Sequence, residues 1–161
     1  MTSATRFDRW CVQQLLGSLV AGGAMSALTF RLTFGDIASV PVWGWRNLAF
    51  DALPQSFMGA VMGVLVPALV ARRTFAGRPA SSSGAPPIQL HRVNHIIARA
   101  LLAGIAALPV GYGIWAGGLW FATVSGLPFD HALLLKTAYG GVLSMLFTGC
   151  LLRDLRRSFP T

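Results

Sequence analysis

The sequence predicts an all-α integral membrane protein that crosses the bilayer with four helices. Hydrophobic residues make up 54% of the 161 residues and charged residues only 11%, whereas soluble domains usually carry ~25% charged residues. Four apolar stretches are each close to the ~20 residues that a helix needs to cross a hydrocarbon core of ~30 Å. Lipid offers no hydrogen-bond partners to the backbone, so these stretches should be helices.

The apolar stretches run from Val12 to Phe30, from Ala52 to Ala71, from Ile96 to Val124 and from Ala132 to Leu152. Residues 77–87 read GRPASSSGAPP, a composition that cannot build a core and is typical of a linker. We therefore predict a first transmembrane hairpin over 1–75, a flexible cytoplasmic linker over 76–91 and a second hairpin over 92–161. We expect the first stretch to remain as a span and not to be removed as a signal peptide.

Basic residues predict the orientation of the spans. Ten arginines fall at one side, and only Arg31, Arg46 and Lys136 fall at the other. The side with more basic residues normally faces the cytoplasm, which places both termini there.

The same arginines argue against nucleic-acid binding, because they occur in short clusters at the edges of apolar runs and do not line one polar face. They are expected to attract anionic lipid headgroups. The residues concerned are Arg72, Arg73, Arg92, Arg99, Arg153, Arg156 and Arg157.

Three ionisable residues form a candidate polar site near the ends of the spans that lie away from the ten arginines. Asp51 and Asp130 each follow a phenylalanine at the start of a predicted span, and Lys136 lies about one turn inside the fourth span. Such residues within a span suggest function, here the binding of a cation or proton. The structural alternatives are that each Asp caps a helix N-terminus and that Lys136 extends to the interface.

Small residues recur at four-residue spacing, a pattern that lets membrane helices approach closely. Two GxxxG runs begin at Gly59 and Gly113, and further small-residue pairs occur in the first and fourth spans. The glycines predicted to pack helices are Gly17, Gly22, Gly59, Gly63, Gly113, Gly117 and Gly140.

We predict no catalytic residues, no metal site and no cofactor, since the chain lacks zinc-protease, nucleophile-elbow and phosphate-loop motifs. The sequence leaves open whether the protein binds a lipid or a pigment.

Three segments resemble a bacterial family of small two-span membrane proteins of unknown function. They are Ala24-Met25-Ser26, Pro67 with Arg72-Arg73, and Lys136-Thr137-Ala138-Tyr139-Gly140-Gly141. The resemblance implies a tandem duplication of a two-helix unit in a bacterial inner membrane, and it implies no activity.

These observations favour a non-catalytic membrane subunit or assembly partner of a larger complex, in contact with lipids and with other subunits or further copies of itself. The alternative is a small oligomeric ion-coupled transporter that uses Asp51, Asp130 and Lys136. A weaker third option is an enzyme that acts on a lipid or isoprenoid substrate.

Overall fold

The protein is an all-α four-helix membrane protein. A computed structural model describes residues 3–35, 37–43, 47–74, 93–122 and 125–158. The elements are α1 (Ser3–Phe34), β1 (Ser39–Pro41), α2 (Leu48–Thr74), α3 (Val93–Ala122), β2 (Gly126–Pro128) and α4 (Phe129–Ser158). Each helix is long and apolar enough to cross a membrane. The predicted linker over 76–91 and Arg92 lie outside the described residues.

The helices are longer than the apolar stretches that predicted them. The shortest has 27 residues and the longest 32, which corresponds to ~40–48 Å at ~1.5 Å per residue. Hydropathy locates only the part of a helix that lies in hydrocarbon, and the polar turns at either end continue the same helix. α3 is continuous across Pro109.

Asn47 caps the N-terminus of α2. Its side-chain oxygen accepts a hydrogen bond from the backbone N–H of Phe50 at 2.5 Å, which satisfies one of the free donors of the first turn. Asp51 lies further along, and its own N–H donates to the Asn47 carbonyl at 3.1 Å. The side chain of Asp51 is therefore free for another role.

The four helices pack in the order α1–α4–α2–α3. α1 packs against α4 and α2 against α3, while α2 and α4 contact each other at the centre and α1 touches α2 only slightly. Each predicted hairpin thus has its two helices separated by a helix of the other hairpin. α2 and α4 run in the same direction, whereas the two outer pairs are antiparallel.

A short antiparallel sheet joins the two interhelical loops. β1 pairs with β2 in the register Ser39 with Pro128, Val40 with Leu127 and Pro41 with Gly126. We call this side of the bundle the strand end, and the side where α1 and α3 begin the arginine end. Exchanging α1, β1 and α2 for α3, β2 and α4 reproduces the two main helix pairings and the strand pairing, while the tandem duplication stays a prediction.

Two apolar clusters hold the bundle together, one towards each end. The cluster at the strand end includes Phe30, Phe34, Val40 and Leu48. The cluster towards the arginine end includes Val64, Ile96, Leu152 and Leu155. Polar side chains next to the strand-end cluster form the candidate site.

Gly22 illustrates how small residues set the α1–α4 distance. A Cβ atom built at Gly22 would lie 2.6 Å from the backbone oxygen of Gly140, whereas one built at Gly17 meets no atom within 4 Å. The close approach of α1 to α4 therefore requires glycine at position 22 and not at position 17.

We predict that adding one methyl group at Gly22 and at Gly17 has opposite effects on the stability of the protein. Gly22→Ala should lower the free energy of unfolding by about 1–3 kcal/mol because of overpacking. Gly17→Ala should leave it unchanged or raise it by up to about 1 kcal/mol, the helix propensity difference. Thermal unfolding in one detergent, followed by circular dichroism, compares them. Equal stability of the two variants would contradict the packing described here.

Candidate functional site

An ion pair between α2 and α4 lies inside the bundle. Lys136 Nζ is 3.1 Å from Asp51 Oδ2, and the side chains of Lys136 and Asp51 are 0% and 18% exposed. Lys136 thus turns inward, and the predicted extension to the interface is wrong. A charged group without a partner at this position would be very costly, so each residue depends on the other.

Aromatic and hydroxyl groups surround the lysine. Its Nζ lies 4.6 Å from the ring centroid of Trp115 on α3, within the ~6 Å range of cation–π attraction. Trp115 meets Tyr139 edge-on at 5.5 Å. The Tyr139 hydroxyl is 2.7 Å from Ser56 Oγ. Lys136 therefore has its charge covered on the α3 side by an aromatic wall.

A second set of hydrogen bonds connects α1 to the same place. Ser26 Oγ donates to the Lys136 backbone oxygen at 2.7 Å, and Gln55 Nε2 donates to that oxygen at 2.9 Å. Gln55 Nε2 also contacts Ser26 Oγ. All four helices thus contribute a side chain to one polar cluster, which we define as Ser26, Asp51, Gln55, Ser56, Trp115, Lys136 and Tyr139.

The α1–α2 groove opens beside the polar cluster. It exists because α4 separates α1 from α2, and Gly140 and Ser144 of α4 form its floor. Its cavity volume is about 520 Å³, and Met25, Met58 and Met62 lie along its walls. These methionines are exposed, so the groove opens sideways to the surroundings of the bundle.

The groove runs along most of the bundle. On α1 its wall extends from Gln13 to Thr29, and on α2 from Asp51 to Pro67. Sixteen residue steps of ~1.5 Å give a length of about 24 Å. Asp51 lies at the strand end of the groove and Gln13 at the arginine end, with mostly apolar walls between them.

The structure brings together two of the three predicted polar-site residues. Asp51 and Lys136 form the ion pair, whereas Asp130 is exposed in the first turn of α4. The transporter hypothesis stays a prediction, with its proposed residues divided between the interior and the surface.

The predicted packing glycines fall into two groups. Gly22, Gly59, Gly63 and Gly140 lie against side chains or backbone of other helices. Gly17, Gly113 and Gly117 have no atom within 4 Å of an added Cβ. Gly17 lines the groove, and the two α3 glycines lie on the outer side of the bundle. For these three residues a packing role stays a prediction.

The described arginines that were predicted to meet headgroups lie at the arginine end. Arg99 pairs with Asp154, and Arg156 lies 3.1 Å from Asp8. Exposed pairs of this kind contribute little to stability. The same end also carries Arg72, Arg73, Arg153 and Arg157.

Five members of the polar cluster escaped sequence reasoning, which found only Asp51 and Lys136. The others are uncharged or aromatic: Ser26, Gln55, Ser56, Trp115 and Tyr139. Of these five residues, Gln55 could most readily have been recognised from the sequence, because an amide inside an apolar span needs a hydrogen-bond partner.

No protein-family model, curated protein or solved structure matches this chain. The resemblance to two-span bacterial proteins stays a prediction, and the function must be argued from geometry.

The ion pair predicts strong energetic coupling between its two residues. Asp51→Leu should destabilise the protein by about 3–5 kcal/mol because it leaves Lys136 buried without a counter-charge. Asp51→Leu with Lys136→Met should recover most of that loss. Asp130→Asn serves as the control and should change stability by less than about 0.5 kcal/mol.

A double-mutant cycle on denaturant unfolding in micelles measures the coupling. Additive losses in the double variant would show that the two charges do not depend on each other.

Proposed function

We propose that this protein is a non-catalytic membrane protein that binds one amphiphile in its α1–α2 groove. The hydrocarbon chain lies along the apolar walls, and the polar head lies at the strand end next to Asp51. The groove itself carries the proposal, since it combines a long, mostly apolar channel with polar ends, and the strand end holds the charged Asp51. Its volume of about 520 Å³ falls within the ~300–1,000 Å³ of typical ligand sites.

The shape of the groove suits a hydrocarbon chain. A volume of about 520 Å³ spread over about 24 Å makes a long, narrow space and not a compact pocket. A single row of methylene groups, in contact with its neighbours at ~4 Å, can lie along such a space.

The flexible side chains of the walls suit a ligand of this kind. Met25, Met58 and Met62 can change rotamer to follow a chain, and their thioethers are polarisable. The floor at Gly140 and Ser144 is flat because it carries little side chain. Since the walls are exposed sideways, a lipid could enter from the membrane without crossing the bundle.

A second candidate function is the accessory subunit predicted from the sequence, and the outer face of α3 favours it. Gly113, Gly117 and Gly118 have no atom within 4 Å of an added Cβ. Gly113 and Gly117, four residues apart on one face of α3, form a flat strip on which a helix of another membrane protein could pack closely. The strip lies apart from the α1–α2 groove, so the two functions can be tested separately.

One pair of matched variants distinguishes the two candidates. Gly17→Phe places a ring in the groove, while Gly113→Phe places the same ring on the outer face of α3; both sites have free space. After mild extraction, Gly17→Phe should lose at least about 90% of any co-purifying amphiphile, as expected when ~1.4 kcal/mol or more of binding energy is removed. Gly113→Phe should retain the amphiphile.

Mass spectrometry of the extracted lipids and of co-migrating proteins provides both readouts. Loss of a partner protein in Gly113→Phe alone would support the accessory subunit. An amphiphile content that is unaffected by Gly17→Phe would overturn binding in the groove.

For orientation, we propose that the arginine end faces the cytoplasm of a bacterial inner membrane, with both termini there. The imbalance of ten basic residues to three supports this arrangement. A reporter that is active only in the cytoplasm should work when fused to either terminus, while a reporter active only outside it should not. The opposite pattern would place the strand end, and Asp51 with it, inside the cell.

A further inference from the structure

We propose that the groove selects an amphiphile whose head donates hydrogen bonds, that is, an ammonium or hydroxyl group, over one with an anionic head. This inference rests on the proposed function and names the ligand class of the same groove. It follows from a count of the donors and acceptors at the strand end of the groove.

Among the described residues that line the groove, Asp51 is the only ionisable one. Its side chain is 18% exposed, while that of Lys136, its partner, is 0% exposed. Lys136 Nζ is enclosed by the carboxylate at 3.1 Å and by the Trp115 ring at 4.6 Å. A ligand in the groove therefore meets the negative side of the ion pair and cannot reach the positive side.

Gln55 offers a ligand no donor. The Lys136 backbone oxygen can only accept hydrogen bonds, so the Gln55 atom that contacts it at 2.9 Å must be the amide nitrogen. That contact fixes the orientation of the amide, and the nitrogen also contacts Ser26 Oγ. Gln55 Oε1 is itself buried, so Asp51 is the acceptor that a ligand in the groove meets.

The donors that line the strand end of the groove are used within the protein. The Ser26 hydroxyl donates to the Lys136 backbone oxygen at 2.7 Å. The Thr29 hydroxyl donates to helix carbonyls of α1, each 3.0 Å away. The two buried donors without a hydrogen bond in the described part of the chain, Lys136 Nζ and Trp115 Nε1, belong to residues that do not line the groove. The strand end of the groove thus offers a ligand the Asp51 carboxylate, which matches a donor head and repels a carboxylate or phosphate.

The test compares four amphiphiles that share one chain and differ only in the head: octadecylamine, octadecanol, stearate and octadecyl phosphate. Each competes at neutral pH with radiolabelled octadecanol for the purified protein in neutral detergent. The amine and the alcohol should displace the label at about tenfold lower concentration than either anion, because one charge-assisted hydrogen bond contributes at least ~1.4 kcal/mol. Comparison of the amine with the alcohol separates recognition of charge from recognition of hydrogen-bond donation.

The double variant Asp51→Leu with Lys136→Met removes the carboxylate without leaving a buried charge. It should lose the preference of the amine and the alcohol over stearate by about tenfold, because the carboxylate that accepts from both donor heads is gone. Asp130→Asn, which changes an exposed acid outside the groove, should keep the full preference.

The outcomes separate the two proposals. Equal displacement by all four amphiphiles, blocked by Gly17→Phe, would overturn head selection and leave groove binding intact. Tighter binding of the anions would also overturn head selection. Failure of the protein to bind the radiolabelled octadecanol at all would overturn both proposals.

Discussion

The ion pair between Asp51 and Lys136 fixes how the central helices of the bundle meet. Lys136 lies 85 positions after Asp51, and the hydrogen bonds from Ser144 to Gly59 and from Thr148 to Gly63 join residues with the same separation. α2 and α4 therefore lie in register along their shared length. A shift of one turn would leave both charges without partners, a cost that no packing gain could offset. This register sets the shape of the α1–α2 groove, because α4 forms the floor of the groove.

The sequence is sufficient to predict the number of helices, because the apolar stretches reach the length of a bilayer and the charges fall outside them. It also identifies Asp51 and Lys136, since ionisable residues in a span are rare enough to notice. Helix ends are less predictable. Ser3 and Arg9 belong to α1 although hydropathy gives no sign of them, and Asn47 caps α2 although the more conspicuous Asp51 attracts that role.

The order of the helices is not encoded in any local pattern. Adjacent helices joined by a loop are expected to pack together, yet α4 lies between α1 and α2 here. What decides the order is the match between Gly22 and Gly140 and between Ser26 and the Lys136 carbonyl, which are distant in sequence. Trp115 was unpredictable for the same reason, because its role depends on a lysine that another helix supplies. Polar residues in spans show that a site exists, whereas only the assembled bundle shows its partners.

The position of α4 also bears on biosynthesis. A chain emerging from the ribosome delivers its N-terminal segments first, and the Ser26 contact to α4 spans 110 residues. Until α4 enters the bilayer, α1 has no main partner and Asp51 has no counter-ion. A chain that has not yet inserted α4 therefore leaves the Asp51 carboxylate without its lysine and the groove without its floor.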